Sequence, residues 1–132
     1  MNTLQGQISN IEVNGSLALV TVIVKNVSFT AIIIETPKTA SYLKIGNTIT
    51  ILFKETEVVI TTGSPEHISL QNQILGTVKK LEKGTLLSKL IINTEIGEIV
   101  SIITSNAVQK LSIEKGSEIT AMIKTNEILL SQ

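Results

Sequence analysis

SLALVTVIVKNVSFTAIIIE, residues 16–35, is a run of β-branched and aliphatic residues broken by one polar step at Lys25–Asn26. Branching at Cβ restricts χ1 and suits a pleated surface better than a helix. The stretch predicts two strands, 16–25 and 28–35. Immediately upstream, VNGS (13–16) supplies the loop of a hairpin. Downstream, TITILFK (48–54) and EVVITT (57–62) have the same strand character. PKTASYLKIGN (37–47) interrupts the pattern. There Pro37 suits a first helical position, and Leu43 can pack from a short helical turn before Gly46.

The series then recurs. Residues 2–62 align with 72–132 without a gap, and Asn2/Asn72, Gly6/Gly76, Gly46/Gly116, Lys54/Lys124 and Glu57/Glu127 are among the identical pairs. Apolar character is kept at Leu4/Ile74, Ile8/Val78, Val22/Ile92, Phe29/Ile99, Leu43/Ile113 and Phe53/Ile123. One supersecondary unit is used twice. TTGSPEHIS (61–69), with Gly63 and Pro65, reads as the joint between the copies. The expected fold is all-β: two tandem, OB-like, five-stranded small barrels, each with one short helix. The expected domains are 1–62 and 69–132, joined by a linker at 63–68.

Composition removes several function classes. Among 132 residues there are 11 basic and 11 acidic side chains, so no excess charge points to nucleic acid or a lipid surface. Binding of single-stranded nucleic acid also needs aromatic stacking platforms. Only Phe29, Tyr42 and Phe53 are aromatic, and two of them fall on core positions. Cysteine is absent, which excludes disulfides, thiolate metal ligands and a thiol nucleophile. The one histidine, His67, falls in the joint as an ordinary loop residue, and the glutamates stand singly without metal-ligand spacing. No glycine-rich phosphate loop follows a strand, so an enzyme is not expected. No signal-peptide pattern opens the sequence, and no apolar run approaches the length of a membrane span. A cytoplasmic protein without membrane contact is expected.

Two patches remain. KETE (54–57) and KTNE (124–127) place a lysine at the end of a strand in each copy. SLQNQILG (69–76) crowds hydrogen-bonding groups at the start of the second copy. These patches resemble the molybdenum-pterin-binding (Mop, or molbindin) family of TOBE domains. That family has a Ser-Ala-Arg-Asn-Gln-[Leu/Ile]-x-Gly opening and an Ile-Lys-[Ala/Ser/Thr]-[Thr/Ser/Asn]-[Glu/Ser]-Val segment. The second copy follows it through SLQNQILGTV (69–78) and SIITSNAVQKLSIEKGSEITAMIKTNEILL (101–130). The first copy follows it from NTLQGQI (2–8) to FKETEVVI (53–60).

The resemblance implies binding of molybdate or tungstate, unchanged, at interfaces between domains, with metal present only inside the oxyanion and no organic cofactor. A buried tetrahedral dianion needs many donors, which backbone N–H groups, hydroxyls and lysine can supply. By resemblance, Ser69 gives its hydroxyl, with Leu70, Gln71 and Asn72 beside it. Lys124 and Thr125 give charge and donors from a neighbouring domain, and the strand end at Thr104 and Ser105 adds more. In the first copy, Lys54 and Glu55 hold the equivalent place. Gln71 stands where the family has arginine, Leu70 where it has alanine, Ile34 and Glu35 opposite Thr104 and Ser105, and Glu55 brings a negative charge beside Lys54. Fewer or weaker sites than in a pattern-perfect member are expected, with Lys124 favoured over Lys54. Tandem members form trimers, so a homotrimer is expected. The role expected is intracellular molybdenum storage or homeostasis. The alternative is a TOBE-type regulatory or interaction module that no longer binds oxyanion.

Overall fold

Ten strands carry the chain in the computed structural model, which describes residues 1–132. They are β1 (Asn2–Asn14), β2 (Leu17–Val24), β3 (Val27–Ile33), β4 (Thr48–Phe53), β5 (Val59–Thr61), β6 (Asn72–Lys83), β7 (Leu87–Thr94), β8 (Gly97–Thr104), β9 (Glu118–Ile123) and β10 (Leu129–Ser131). One α-helix, α1 (Ser105–Lys110), follows β8. The strands form two five-stranded sheets, ordered β10-β4-β1-β2-β3 and β5-β9-β6-β7-β8. Each sheet curls until its outer strands approach one another, β3 with β10 and β5 with β8. The result is a pair of small, partly open barrels.

The β-branched runs read as strands bury alternate side chains. Along β2, Ala18, Val20, Val22 and Val24 point inward, and Ser88, Leu90 and Ile92 do so on β7. The two barrels do not keep separate cores. One continuous cluster of 26 buried apolar residues runs through both, from Ile8, Phe29 and Phe53 to Leu90, Ile99 and Ile123. A unit of about 60 residues buries too little surface to be secure alone, and merging two interiors offsets that deficit.

The sheets are not the sequence copies. β10, from the second copy, pairs with β4 through Leu129↔Leu52, Leu130↔Ile51 and Ser131↔Thr50. β5, from the first copy, pairs with β9 through Val59↔Met122, Ile60↔Ala121 and Thr61↔Thr120. Each copy therefore gives its last strand to the other. The chain crosses between sheets at 54–58 and returns at 124–128, whereas the expected linker 63–68 lies between β5 and β6 within one sheet. A local cause is visible. Each crossing is a single 3-10 turn, Glu55–Glu57 or Thr125–Glu127, flanked by extended residues on both sides. Such a segment steps the chain sideways where a hairpin turn would reverse it.

The expected helix appears in only one copy, which corrects the expectation of one per barrel. In the second copy Thr104 caps α1, its hydroxyl accepting from the Ala107 N–H at 3.1 Å. Ile34 stands at the position of Thr104 and cannot cap, and Pro37 stands at that of Ala107 and has no N–H to offer. Residues 36–40 close instead as one turn, with Thr39 and Ala40 donating to the Thr36 carbonyl at 2.9 and 2.8 Å. Leu43 still reaches the core, as expected.

Two repeated glycine pairs have distinct causes. Gly46 and Gly116 sit at φ +94° and +93°, in turns whose N–H groups bond to Ile8 and Val78 at the β1 and β6 bulges. Gly6 and Gly76 mark close approach: a Cβ there would lie 2.5 Å from the Ile23 carbonyl oxygen or 2.4 Å from Ile92 Cγ2.

Candidate functional site

The start of β6 and the end of β9 meet at one corner of the second sheet. Asn72 pairs with Ile123 in antiparallel register, so one step further Gln71 stands opposite Lys124. Here the chain turns away from β9 toward the other sheet, and Lys124 and Thr125 sit at the head of that crossing. Ser69, Leu70 and Lys124 line a surface depression of about 400 Å³, together with Glu57, Val59, Ile68 and Glu127. The two crossings are thus neighbours, and each contributes a glutamate to one depression.

The polar groups at this corner divide by what already holds them. Ser69 Oγ, the Gln71 amide, Lys124 Nζ and Thr125 Oγ1 make no hydrogen bond within the chain, whereas the side chains around them do. Gln73 Nε2 donates to the Leu70 carbonyl at 2.7 Å and fixes the approach to β6. Asn72 is 1% exposed and fully engaged. Its Oδ1 accepts from the Thr30 N–H at 2.7 Å, and its Nδ2 donates to the carbonyls of Thr30 at 2.9 Å and Ile123 at 3.0 Å. Its side chain has no donor left for a ligand.

The depression is electrostatically mixed. Lys124 brings one positive charge and Glu57 and Glu127 two negative ones, with no ion pair between them within 4.0 Å. Open donors and one lysine suit an anion, and the carboxylates oppose a fully ionised one unless further cations arrive. Glu57 opens EVVITT in the sequence, but it and Glu127 lie in the 3-10 turns, ahead of β5 and β10. Their exact repetition with the lysines was the available signal that both crossings build one place.

Other candidates lie elsewhere. Thr104 pairs with Leu87 at the hairpin end of β7, at the opposite end of β6 from Ser69 and Lys124. Its hydroxyl oxygen is the cap of α1. The Ser105 hydroxyl donates to the Gly84 carbonyl at 2.7 Å, which makes Ser88 the donor in the 2.8 Å bond between the two hydroxyls. Both residues brace the hairpin end within this chain. Lys54 occupies the equivalent corner of the first sheet, one register step beyond Asn2↔Phe53. Beside it, Glu55 Oε2 accepts from the Met1 ammonium at 2.6 Å. That bond holds the Glu55 carboxyl below its usual range.

Comparison with known proteins follows this geometry. The TOBE domain model matches residues 68–130. Molybdenum-pterin-binding protein 1 of Clostridium pasteurianum is 34% identical over 64 residues, covering 48% of this chain and 94% of that protein. The molybdenum transport protein ModE of Herbaspirillum seropedicae is 27% identical over 133 residues, covering 98% of this chain. This chain spans 49% of ModE. Among solved structures, the cytoplasmic molybdate-binding protein ModG, with molybdate bound, superposes with a TM-score of 0.91 at 25% identity, covering 98% of this chain and 94% of that one. No helix of the present chain is long and apolar enough to cross a membrane.

Proposed function

The chain belongs to the TOBE-domain family of molybdenum-pterin-binding proteins, and from that premise we propose that it binds molybdate or tungstate as the intact oxyanion, for intracellular molybdenum storage or homeostasis. The observation that carries the proposal is the set of four unengaged polar side chains at the corner of β6 and β9. Ser69 and Lys124 bring a hydroxyl and an ammonium donor into one depression, and Gln71 and Thr125 adjoin them in the chain with an amide and a second hydroxyl. Charge-assisted hydrogen bonds to an oxyanion are short and about twice as strong as neutral ones. Leu70 and Asn72 shape this corner and Lys54 and Glu55 the equivalent one, while Thr104 and Ser105 serve as bracing residues. The repeated units are the domains 1–62 and 69–132, with 63–68 between them, and each is completed by the other's last strand. The protein acts as a cytoplasmic carrier and not as an enzyme.

The charge balance of the depression favours a multimer. One lysine facing two glutamates does not neutralise a dianion, so the remaining positive charge and donors come from another copy of the chain. Apolar surface points the same way. Ile34 and Leu86 are each 79% exposed and Leu75 is 74% exposed, and Val13, Leu17 and Ile32 line an open apolar depression of about 370 Å³. A homotrimer places such surfaces in contact. Sedimentation at micromolar concentration is expected to give three times 14.2 kDa, and a monomer there overturns the trimer.

Isothermal titration with molybdate, tungstate and sulfate tests the function. Heat with the first two and little with sulfate is expected. Silence with all three at tens of micromolar removes the carrier reading, and equal heat with sulfate removes its selectivity. The two glutamates in the depression favour a second reading, a regulatory or interaction module without oxyanion, and silence in the titration would select it.

A further inference from the structure

Asn2 and Asn72 hold the same place in the repeat, and each reaches out of its own sheet into the other. Asn2 Nδ2 donates to the Val100 carbonyl at 2.8 Å, and its Oδ1 accepts from the Val100 N–H at 2.8 Å. Asn72 treats Thr30 in the same way. Val100 lies on β8 and Thr30 on β3, the outer strands of their sheets. Each amide, which has one acceptor and two N–H donors, thus occupies the open backbone edge as a strand residue would. The likeness ends at the crossings. Asn72 spends its second N–H on the Ile123 carbonyl, the residue immediately before Lys124. Asn2 makes no such bond to Phe53. The first crossing is secured at its far end instead, where Ser101 Oγ donates to the Val58 carbonyl at 2.9 Å. Ala31 stands at the place of Ser101 in the other copy and has no hydroxyl, so the Lys124 crossing lacks that tie.

We propose that Asn72 is the positioning residue of the Lys124 crossing: one side chain joins β6, the end of β9 and the edge of β3, and so sets where the lysine and Thr125 point. A lysine on a freely moving turn would have to be ordered by the ligand, at a cost to affinity. Residues that orient the groups touching a ligand commonly change affinity by about tenfold or more when removed. The inference rests on the oxyanion reading for its affinity arm only.

Two variants separate positioning from plain destabilisation. Asn72→Ala and Asn2→Ala each remove a buried amide and leave backbone groups unpaired, so both are expected to melt lower. Amide hydrogen exchange over residues 124–128 is expected to accelerate by about tenfold or more in Asn72→Ala and to stay within about twofold of wild type in Asn2→Ala. Molybdate affinity is expected to fall about tenfold in the first variant and little in the second. Asn72→Ser, which shortens the side chain but keeps one donor, serves the same comparison should the alanine variant not fold. Equal exchange at 124–128 in the two variants, or unchanged affinity in Asn72→Ala, overturns the proposal. Faster exchange in Asn72→Ala, with no oxyanion bound even by the wild type, upholds the positioning of the crossing and removes the oxyanion reading alone.

Discussion

At Lys124 an ammonium group shares a depression with the Ser69 hydroxyl, whereas Lys54 stands beside Glu55 at the equivalent corner. That difference makes the two lysines unequal toward an anion. Loss of a charged hydrogen-bond donor costs about 1.5–3 kcal/mol, so Lys124→Ala is expected to weaken molybdate binding by roughly tenfold or more. Lys54→Ala is expected to change it by about threefold or less, because Lys54 is followed by the Glu55 carboxylate where Lys124 is followed by the Thr125 hydroxyl donor. Titrating both variants at one pH and salt concentration checks the order, and equal losses contradict it. Residue types and repeat positions made this pair of lysines legible in the sequence, and Glu55 made their inequality legible too. The engagement of Asn72 was not legible. An asparagine next to donors in a ligand motif looks like a donor itself, and only the approach of β3 from the other sheet reveals that its amide is already used.

The strands read at 16–25, 28–35, 48–54 and 57–62 match β2 to β5 within a few residues, because runs of β-branched and aliphatic side chains between polar breaks favour the pleated surface. The helix expected in the first copy does not form, and the reason lies in two positions. Pro37 at a first helical turn helps only when a cap precedes it and no neighbouring N–H is needed, and Ile34 supplies no cap. In the second copy Thr104 does the capping. Thr104→Val keeps the shape of the side chain but deletes the acceptor, and is expected to cost about 1 kcal/mol, or roughly 3 °C in melting temperature. Thermal melting measured alongside the unaltered chain tests this; no shift would show that the 3.1 Å bond contributes nothing to α1. Gly6 and Gly76 carry a comparable lesson. Their repetition was visible in sequence, but its cause, a strand pressed against its neighbour, required the β1–β2 and β6–β7 approaches.

Across the whole molecule, the sequence disclosed two copies and the structure disclosed how they are joined. Nothing in a strand's own residues says which sheet it will enter, so EVVITT was correctly read as a strand without revealing its partner. The exchange makes a directional prediction. A chain ending at Ile128 loses β10 and leaves the Thr50–Leu52 edge of β4 unpaired. It is expected to lose roughly 2 kcal/mol of stability or more, with faster amide exchange in β4 and little change in β9, which keeps β5 as its partner. Uniform loss across both sheets would show instead that the merged core melts as one unit whatever its edges. The exchanged strands also bear on how the pair depends on dilution. A single copy that completes its sheet with another copy's strand must find that strand by collision, and falls apart as concentration drops. Here donor and acceptor are parts of one chain, joined through 62–71 and the two crossings. A short tether of this kind holds the missing strand at an effective concentration on the order of millimolar. The two barrels therefore stay complete at any cellular abundance, and only the contacts between separate chains remain subject to mass action.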